Sequence, residues 1–237
     1  MAEEATQREA IEATVRAVAE RIEAEKTQLT DLDSAIGDAD HGANLDRGMQ
    51  AAVEAIEDAD GDDPATLVKL VGRTLVSEVG GAAGPLYGGS LMSASTELEG
   101  GIDAASTVAF GEAFLAKVKD RGGATVGDKT MVDALTPAVH TYKKSIEQDD
   151  LPPLDSLAKA VAAAERGVAF TTPIRASKGR ASYLGWRSVG HQDPGATSTL
   201  FILEAILEVA EGYLDGDVER DAASPTIPDD SPAEGEE

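Results

Sequence analysis

The chain has 237 residues, 42% apolar but only 4% aromatic, with 44 acidic against 20 basic side chains and a formal charge of −24. That length makes one good-sized domain or two small ones, and an interior left to Ala, Leu and Val suits closely packed helices. Nothing resembles the basic stripe of a nucleic-acid binder, and with no cysteine there are neither disulfides nor thiolate metal sites.

In chain order, the N-terminus MAEEATQREAIEA has no basic or apolar region of a secretory signal. Ile11, Val15, Val18 and Ile22 then recur on one face of a first helix. Further helices are expected near 44–58, 65–78, 85–99, 106–120, 130–147 and 155–170, and Leu203, Ile206, Leu207 and Ala210 mark a last one. The expectation is an all-α, eight-helix antiparallel bundle or barrel over residues 1–214, a single domain with short connections. Residues 172–195, TPIRASKGRASYLGWRSVGHQDPG, break the pattern as a long loop, which in a compact domain is usually functional or disordered. Residues 215–237, ending TIPDDSPAEGEE, read as an acidic, disordered tail. No apolar run reaches the ~18 residues of a membrane span, since Glu204 and Glu208 interrupt LFILEAILEVA, so a cytoplasmic location is expected. Self-repulsion from the acidic excess weakens at high ionic strength, where screening shortens to about 3 Å at 1 M salt. We read the excess as halophilic adaptation, with an ordinary acidic soluble protein as the alternative.

The stretch LDSAIGDADHGANLDRG, residues 32–48, concentrates Asp33, Asp38, Asp40 and Asp46. Asp38 and Asp40, two apart, converge only from a loop. Gly37 and Gly42 offer the freedom for one, and Asp33 lies five residues back. Without a neighbouring cation these carboxylates repel, and a hard divalent ion such as Mg²⁺ relieves that. A calcium EF-hand does not fit: counted from Asp38, position six is Ala43 and position twelve Met49. The alternative is an acidic turn, or Asp40 as the N-cap of the next helix.

GGAAGP, residues 80–85, precedes an apolar helical stretch and fits either phosphate binding at a helix N-terminus or tight helix packing. GGATVGDKT, residues 122–130, fails as a P-loop because Asp128 separates Gly127 from Lys129 and a helix precedes it. Asp128 as a helix N-cap is the plain reading. The long loop gathers Arg175, Lys178, Arg180 and Arg187 beside SVGHQDPGATS, which favours an anionic ligand over simple charge balancing. His191 is either a base or phosphate donor, or a histidine satisfied by hydrogen bonds.

Together, LDSAIGDADHGANLDRG, GGAAGPLYG, GDKTM and KGRASYLGWRSVGHQDPGATS resemble the L-subunit family of dihydroxyacetone kinase, in the family's order across residues 32–198. The resemblance implies an eight-helix antiparallel barrel with a nucleotide, ADP or ATP, at one end, and the length of a stand-alone subunit rather than of a fused kinase. It implies that Asp33, Asp38 and Asp40 hold two Mg²⁺ ions bridging the nucleotide phosphates. It further places His41, Gly42, Ala43 and Asn44, Ala82 and Ala83, Gly122 and Met131, and Arg180 with Asp193, Pro194 and Gly195 around the nucleotide. The implied activity is phosphoryl transfer to dihydroxyacetone on a separate K subunit, with ADP retained and recharged by a phosphoryl-carrier M subunit of the phosphotransferase system. Neither nucleic acid nor membrane is an implied partner.

Two departures stand out. Ala83 occupies a position where the family usually has Ser or Thr, and Trp186, the only tryptophan, stands where an acidic residue is common. Trp186 then covers the nucleotide, joins a partner interface or fills the barrel end. Rival readings are a kinase subunit exchanging free ATP, of dihydroxyacetone or fatty-acid type, a non-enzymatic ADP-loaded regulatory partner, and direct phosphorylation of His41 or His191.

Overall fold

A computed structural model describes residues 4–216 and Val218. Among them the chain is all helical: α1 (Glu4–Ile36), α2 (His41–Glu57), α3 (Pro64–Glu78), α4 (Gly89–Ala94), α5 (Ala104–Gly122), α6 (Met131–Glu147), α7 (Pro153–Thr171) and α8 (Pro194–Ala210). None is long and apolar enough to cross a membrane. Most starts are written locally. Asp63 accepts from the Thr66 N–H at 2.9 Å ahead of Pro64; Asp103 and Ser106, and Thr130 and Asp133, form reciprocal capping boxes for α5 and α6. The N-cap of α6 is therefore Thr130 rather than Asp128, whose carboxylate instead closes a turn on the Thr125 N–H at 2.7 Å.

Each helix packs on the next, and α8 returns to α1 to close the ring. Arg21 of α1 seals that closure, 2.6 Å from Glu204 and 4.9 Å above the Phe201 ring of α8. Antiparallel order brings the C-terminal ends of α1, α3, α5 and α7 and the N-terminal ends of α2, α4, α6 and α8 to one end of the barrel. The larger core joins Ile22, Leu29, Leu45, Ile56, Leu67 and Val118; a second, rich in alanine, joins α6, α7 and α8 through Ala134, Ala138, Ala160, Ala164 and Ala196. Pro137 inside α6 cannot donate to the carbonyl of Asp133, and α7 comes close there, since a Cβ on Gly167 would collide with that oxygen.

Three expectations change. The helix near 85–99 is irregular: a π-helical turn, Gly84–Gly88, leads into α4 and a 3₁₀ turn, Ser95–Leu98, follows. A Cβ on Gly72 would stand 2.7 Å from the Gly88 carbonyl oxygen, so backbone meets backbone where α3 passes this turn. The segment 172–195 is not all loop but carries a 3₁₀ stretch, Arg180–Ser188, bent at Gly185. Ala176 and Ala181, with Leu184 beside them, bury against Ile36 at the end of α1. Of the expected tail, Asp215 is exposed, Gly216 lies against Leu154 and Val218 packs on the second core, and the remainder falls outside the described residues.

Asp193 caps α8 by accepting from the Ala196 N–H at 2.7 Å, and burial pushes its carboxyl up to about 7, aided by Asp133 and opposed by the cap and by Lys129. The folded state thus holds a proton that the unfolded chain has lost between about pH 4 and 7, and stability falls across that window as pH rises. Asp193→Asn keeps the cap acceptor without the titration. Its stability relative to wild type is expected to rise by as much as ~4 kcal/mol from pH 4 to 7 and then level off. Urea unfolding of both proteins at each pH checks this; a pH-independent difference contradicts it.

Candidate functional site

The acidic stretch is a helix end followed by a helix start. Asp33 sits in the last turn of α1, and its buried carboxylate occupies space that exists because residue 37 has no Cβ; one there would collide with Asp33 Oδ1. Asp33 Oδ2 accepts from the N–H groups of Asp40 at 2.9 Å and His41 at 3.2 Å, so α1 supplies the cap for α2. Asp40 holds the N-cap position but makes no side-chain cap bond, which answers the N-cap alternative. The left-handed residue that turns the chain is Ala39, at φ 62°, rather than either glycine. Gly42 serves close approach instead: a Cβ there would stand 2.7 Å from Thr30 Oγ1 of α1.

As a result one carboxylate oxygen from each of Asp33, Asp38 and Asp40 lies within 4.8 Å of the others. Part of their repulsion is offset by Arg180, whose Nη2 stands 2.8 Å from Asp38 Oδ2. With side chains 65% and 36% exposed, that pair is worth less than about 1 kcal/mol and is readily exchanged for a stronger cation. The donors are hard oxygens, and Asp33 keeps Oδ1 free of the capping bonds, a set that fits Mg²⁺.

His41, the first residue of α2, joins the start of α8. Its Nε2 lies 2.9 Å from Ser198 Oγ, and the ring also faces the Pro194 carbonyl. Burial lowers its pKa against the pull of Asp33 and Asp40, keeping the ring neutral at pH 7. Behind it the Tyr87 hydroxyl meets Ser198 Oγ at 3.0 Å and Thr199 Oγ1 at 2.8 Å, and burial pushes the phenol up to about 12. Asn44 Oδ1 would stand 2.9 Å from a Cβ on Gly80, so the glycine-rich loop crosses the first turn of α2. Gly81 follows at φ 67° with open space beside it, and the exposed Ala82 and half-buried Ala83 lead into the π-helical turn. Gly122 ends α5 beside Leu86, and Met131 begins α6 against Gly195, where a Cβ would lie 3.5 Å from the Met131 nitrogen.

The residues singled out from the sequence therefore meet in small groups at the same end of the barrel. Asp193 differs in kind: its buried carboxylate turns inward to cap α8, and its N–H donates to Thr171 Oγ1 at 3.0 Å. Trp186 does not fill the barrel end; it is 76% exposed, with Arg175 stacked 5.2 Å from its ring centroid. His191 contributes its backbone carbonyl to a buried contact, and the residue is exposed. Sequence reasoning missed Lys129, which is fully buried, and the hydroxyls of Tyr87, Ser198 and Thr199. A lysine just before an apolar helix start was the available signal for the first; the hydroxyls carry no spacing that marks them.

The family model described as DAK2 domain matches residues 35–208. The chain is 40% identical over 190 residues to the PEP-dependent dihydroxyacetone kinase 1, ADP-binding subunit DhaL, of Listeria innocua, covering 80% of this chain and 90% of that protein. It is 40% identical over 193 residues to the corresponding Escherichia coli subunit, covering 79% and 90%. Among solved structures it resembles the dihydroxyacetone kinase from C. freundii in complex with AMP-PNP and Mg²⁺, with a TM-score of 0.66 and 26% identity. That match covers 86% of this chain but only 34% of the kinase, so the chain spans about a third of its length. The chain belongs to the DAK2 domain family, together with the ADP-binding subunits of dihydroxyacetone kinases.

Proposed function

We propose that this chain is the nucleotide-holding subunit of a dihydroxyacetone kinase. In this reading it keeps an adenine nucleotide with two Mg²⁺ at Asp33, Asp38 and Asp40 and delivers the terminal phosphoryl group to dihydroxyacetone on a separate K subunit. ADP stays bound and is recharged by a phosphoryl-carrier M subunit, which relatives named PEP-dependent and ADP-binding support. The observation that carries the reading is the convergence of three carboxylates at the α1–α2 junction, beside the glycine-rich loop.

Bound Mg²⁺ would offset the charge that spreads over a transferring phosphoryl group. The chain's own residues position and shield. Asp33 is held by two backbone N–H groups, so its orientation is set before any ligand arrives. Gly80 and Gly81 let the backbone approach an anion closely, and N–H groups here suit phosphate even though Ala83 lacks a hydroxyl. Arg180 adds a guanidinium beside Asp38, placed to follow the charge of the nucleotide. Neutral His41, tied to Ser198, acts as a strut between α2 and α8 rather than as a phosphate acceptor. Tyr183 and Trp186, 88% and 76% exposed on the segment that carries Arg180, form the face offered to the K subunit.

Protein purified in high salt without added nucleotide, then denatured, is expected to release near-stoichiometric ADP by mass spectrometry, and Asp38→Asn to release almost none while keeping its helical circular dichroism. An empty, folded wild type that turns over with free ATP and the K subunit alone would move the assignment to an exchanging kinase. Gly37→Ala, which drives a methyl group into the Asp33 carboxylate, should weaken Mg·ADP binding roughly tenfold or more by isothermal titration. Affinity unchanged from wild type would mean Asp33 does not need that place. Trp186→Ala should leave nucleotide content intact but lower phosphoryl transfer to the K subunit, chiefly by raising the apparent KM for that subunit; unaltered transfer removes Trp186 from the interface.

A further inference from the structure

Lys129 is the largest fully buried side chain in the described structure and holds a left-handed backbone conformation at φ 62°. Its ammonium group donates to the carbonyl oxygens of Ser188 at 2.6 Å, His191 at 2.5 Å and Thr171 at 2.8 Å, with Ile174 at 3.3 Å. Burial lowers its pKa, and Asp193 opposes that. Among the described residues no carboxylate is bonded to it; its charge is balanced by peptide dipoles, including the C-terminal end of α7.

The four carbonyls come in two pairs from the two ends of one segment, 171–191, so Lys129 clasps its ends together, and the exposed stretch between them carries Arg180. Besides Lys129, the segment is tied by the packing of Ala176, Ala181 and Leu184 on Ile36 of α1 and by a few hydrogen bonds. Ser177 donates from its side chain to Asp128 and from its N–H to the Asp128 carbonyl at 3.1 Å, and the Ala176 N–H donates to Ser188 Oγ at 2.9 Å. Two of these run to Asp128, the neighbour of Lys129, so the polar anchoring of the segment is concentrated just ahead of α6, while its apolar side rests on Ile36. We infer that Lys129 is a positioning residue: its caged ammonium fixes the 172–191 segment so that Arg180 faces Asp38. This rests on the reading of the carboxylates as a Mg·nucleotide site, and it adds a residue that touches neither ligand nor metal.

The test uses the full chain, with Lys129→Met preserving volume and Lys129→Gly suiting the positive φ. Hydrogen exchange should quicken roughly tenfold across 172–191 in both variants, with the amides of α1–α3 unchanged. Mg·ADP affinity should fall roughly tenfold, and Lys129→Met combined with Arg180→Ala should bind no more weakly than Arg180→Ala alone. Added n-butylammonium, matching the deleted side chain, should restore slow exchange in Lys129→Gly but not in Lys129→Met. Unaltered exchange in 172–191, additive losses in the double variant, or collapse of the whole fold in both variants would overturn the inference. Failure of the wild type to bind Mg·ADP would count against the functional reading alone, because the exchange measurement needs no nucleotide.

Discussion

A single buried carboxylate organises the candidate site. Asp33 has to satisfy the first N–H groups of α2 with one oxygen, and it stands in the turn that ends α1. That requirement fixes the distance between two helices, forces Ala39 into a left-handed conformation and brings Asp38 and Asp40 round to the same side. Three like charges so close would not hold this arrangement for their own sake, and an arginine from a distant segment partly offsets them. The cost is carried by the packing beneath, where Gly42 lets α1 and α2 touch through backbone.

Across the barrel end the polarity is reversed. There a buried cation, Lys129, is surrounded by carbonyl oxygens. Carbonyl dipoles can balance an ammonium without a counter-ion because three good hydrogen bonds replace most of its hydration. Asp193 nearby has the opposite difficulty, a carboxyl buried among few donors, and it sits closer to neutrality. Arg180 links the two regions, leaving the segment tied by Lys129 and reaching the acidic cluster, above the packing of Ala176 and Ala181 on Ile36.

The scaffold that holds these groups is built from small side chains. Alanine and glycine faces allow α6, α7 and α8 to approach closely, with Pro137 and Gly167 meeting at one freed carbonyl. Rigid helices then present their ends, not their faces, to the site. The starts of α2, α6 and α8 lie at the same end of the barrel, each capped by an acidic or hydroxyl side chain: Asp33, Thr130 and Asp193. The region matched by the DAK2 domain model, 35–208, begins just after Asp33 in the last turn of α1 and runs into α8.

Much of this was legible in the sequence. Helical periodicity located most of the helices to within a few residues, because apolar spacing reports burial directly. The aspartates and the cation-rich loop stood out as clusters of like charge, but the glycine-rich loop read equally as tight packing, and it was the resemblance to the dihydroxyacetone kinase L-subunit family that joined them into one candidate site. The sequence could not show which residue turns the chain: Gly37 and Gly42 looked like the hinges, yet Ala39 adopts the positive φ while the glycines make room for Asp33 and α1. Nor could it show that Asp33 rather than Asp40 caps α2, or that Lys129 is buried. Local sequence determines propensity, periodicity and charge; the partners of a buried polar group are chosen by elements far away in the chain. Lys129 illustrates the difference, since its nearest bonded carbonyl lies 42 residues on and came within reach only when α6 packed against α7.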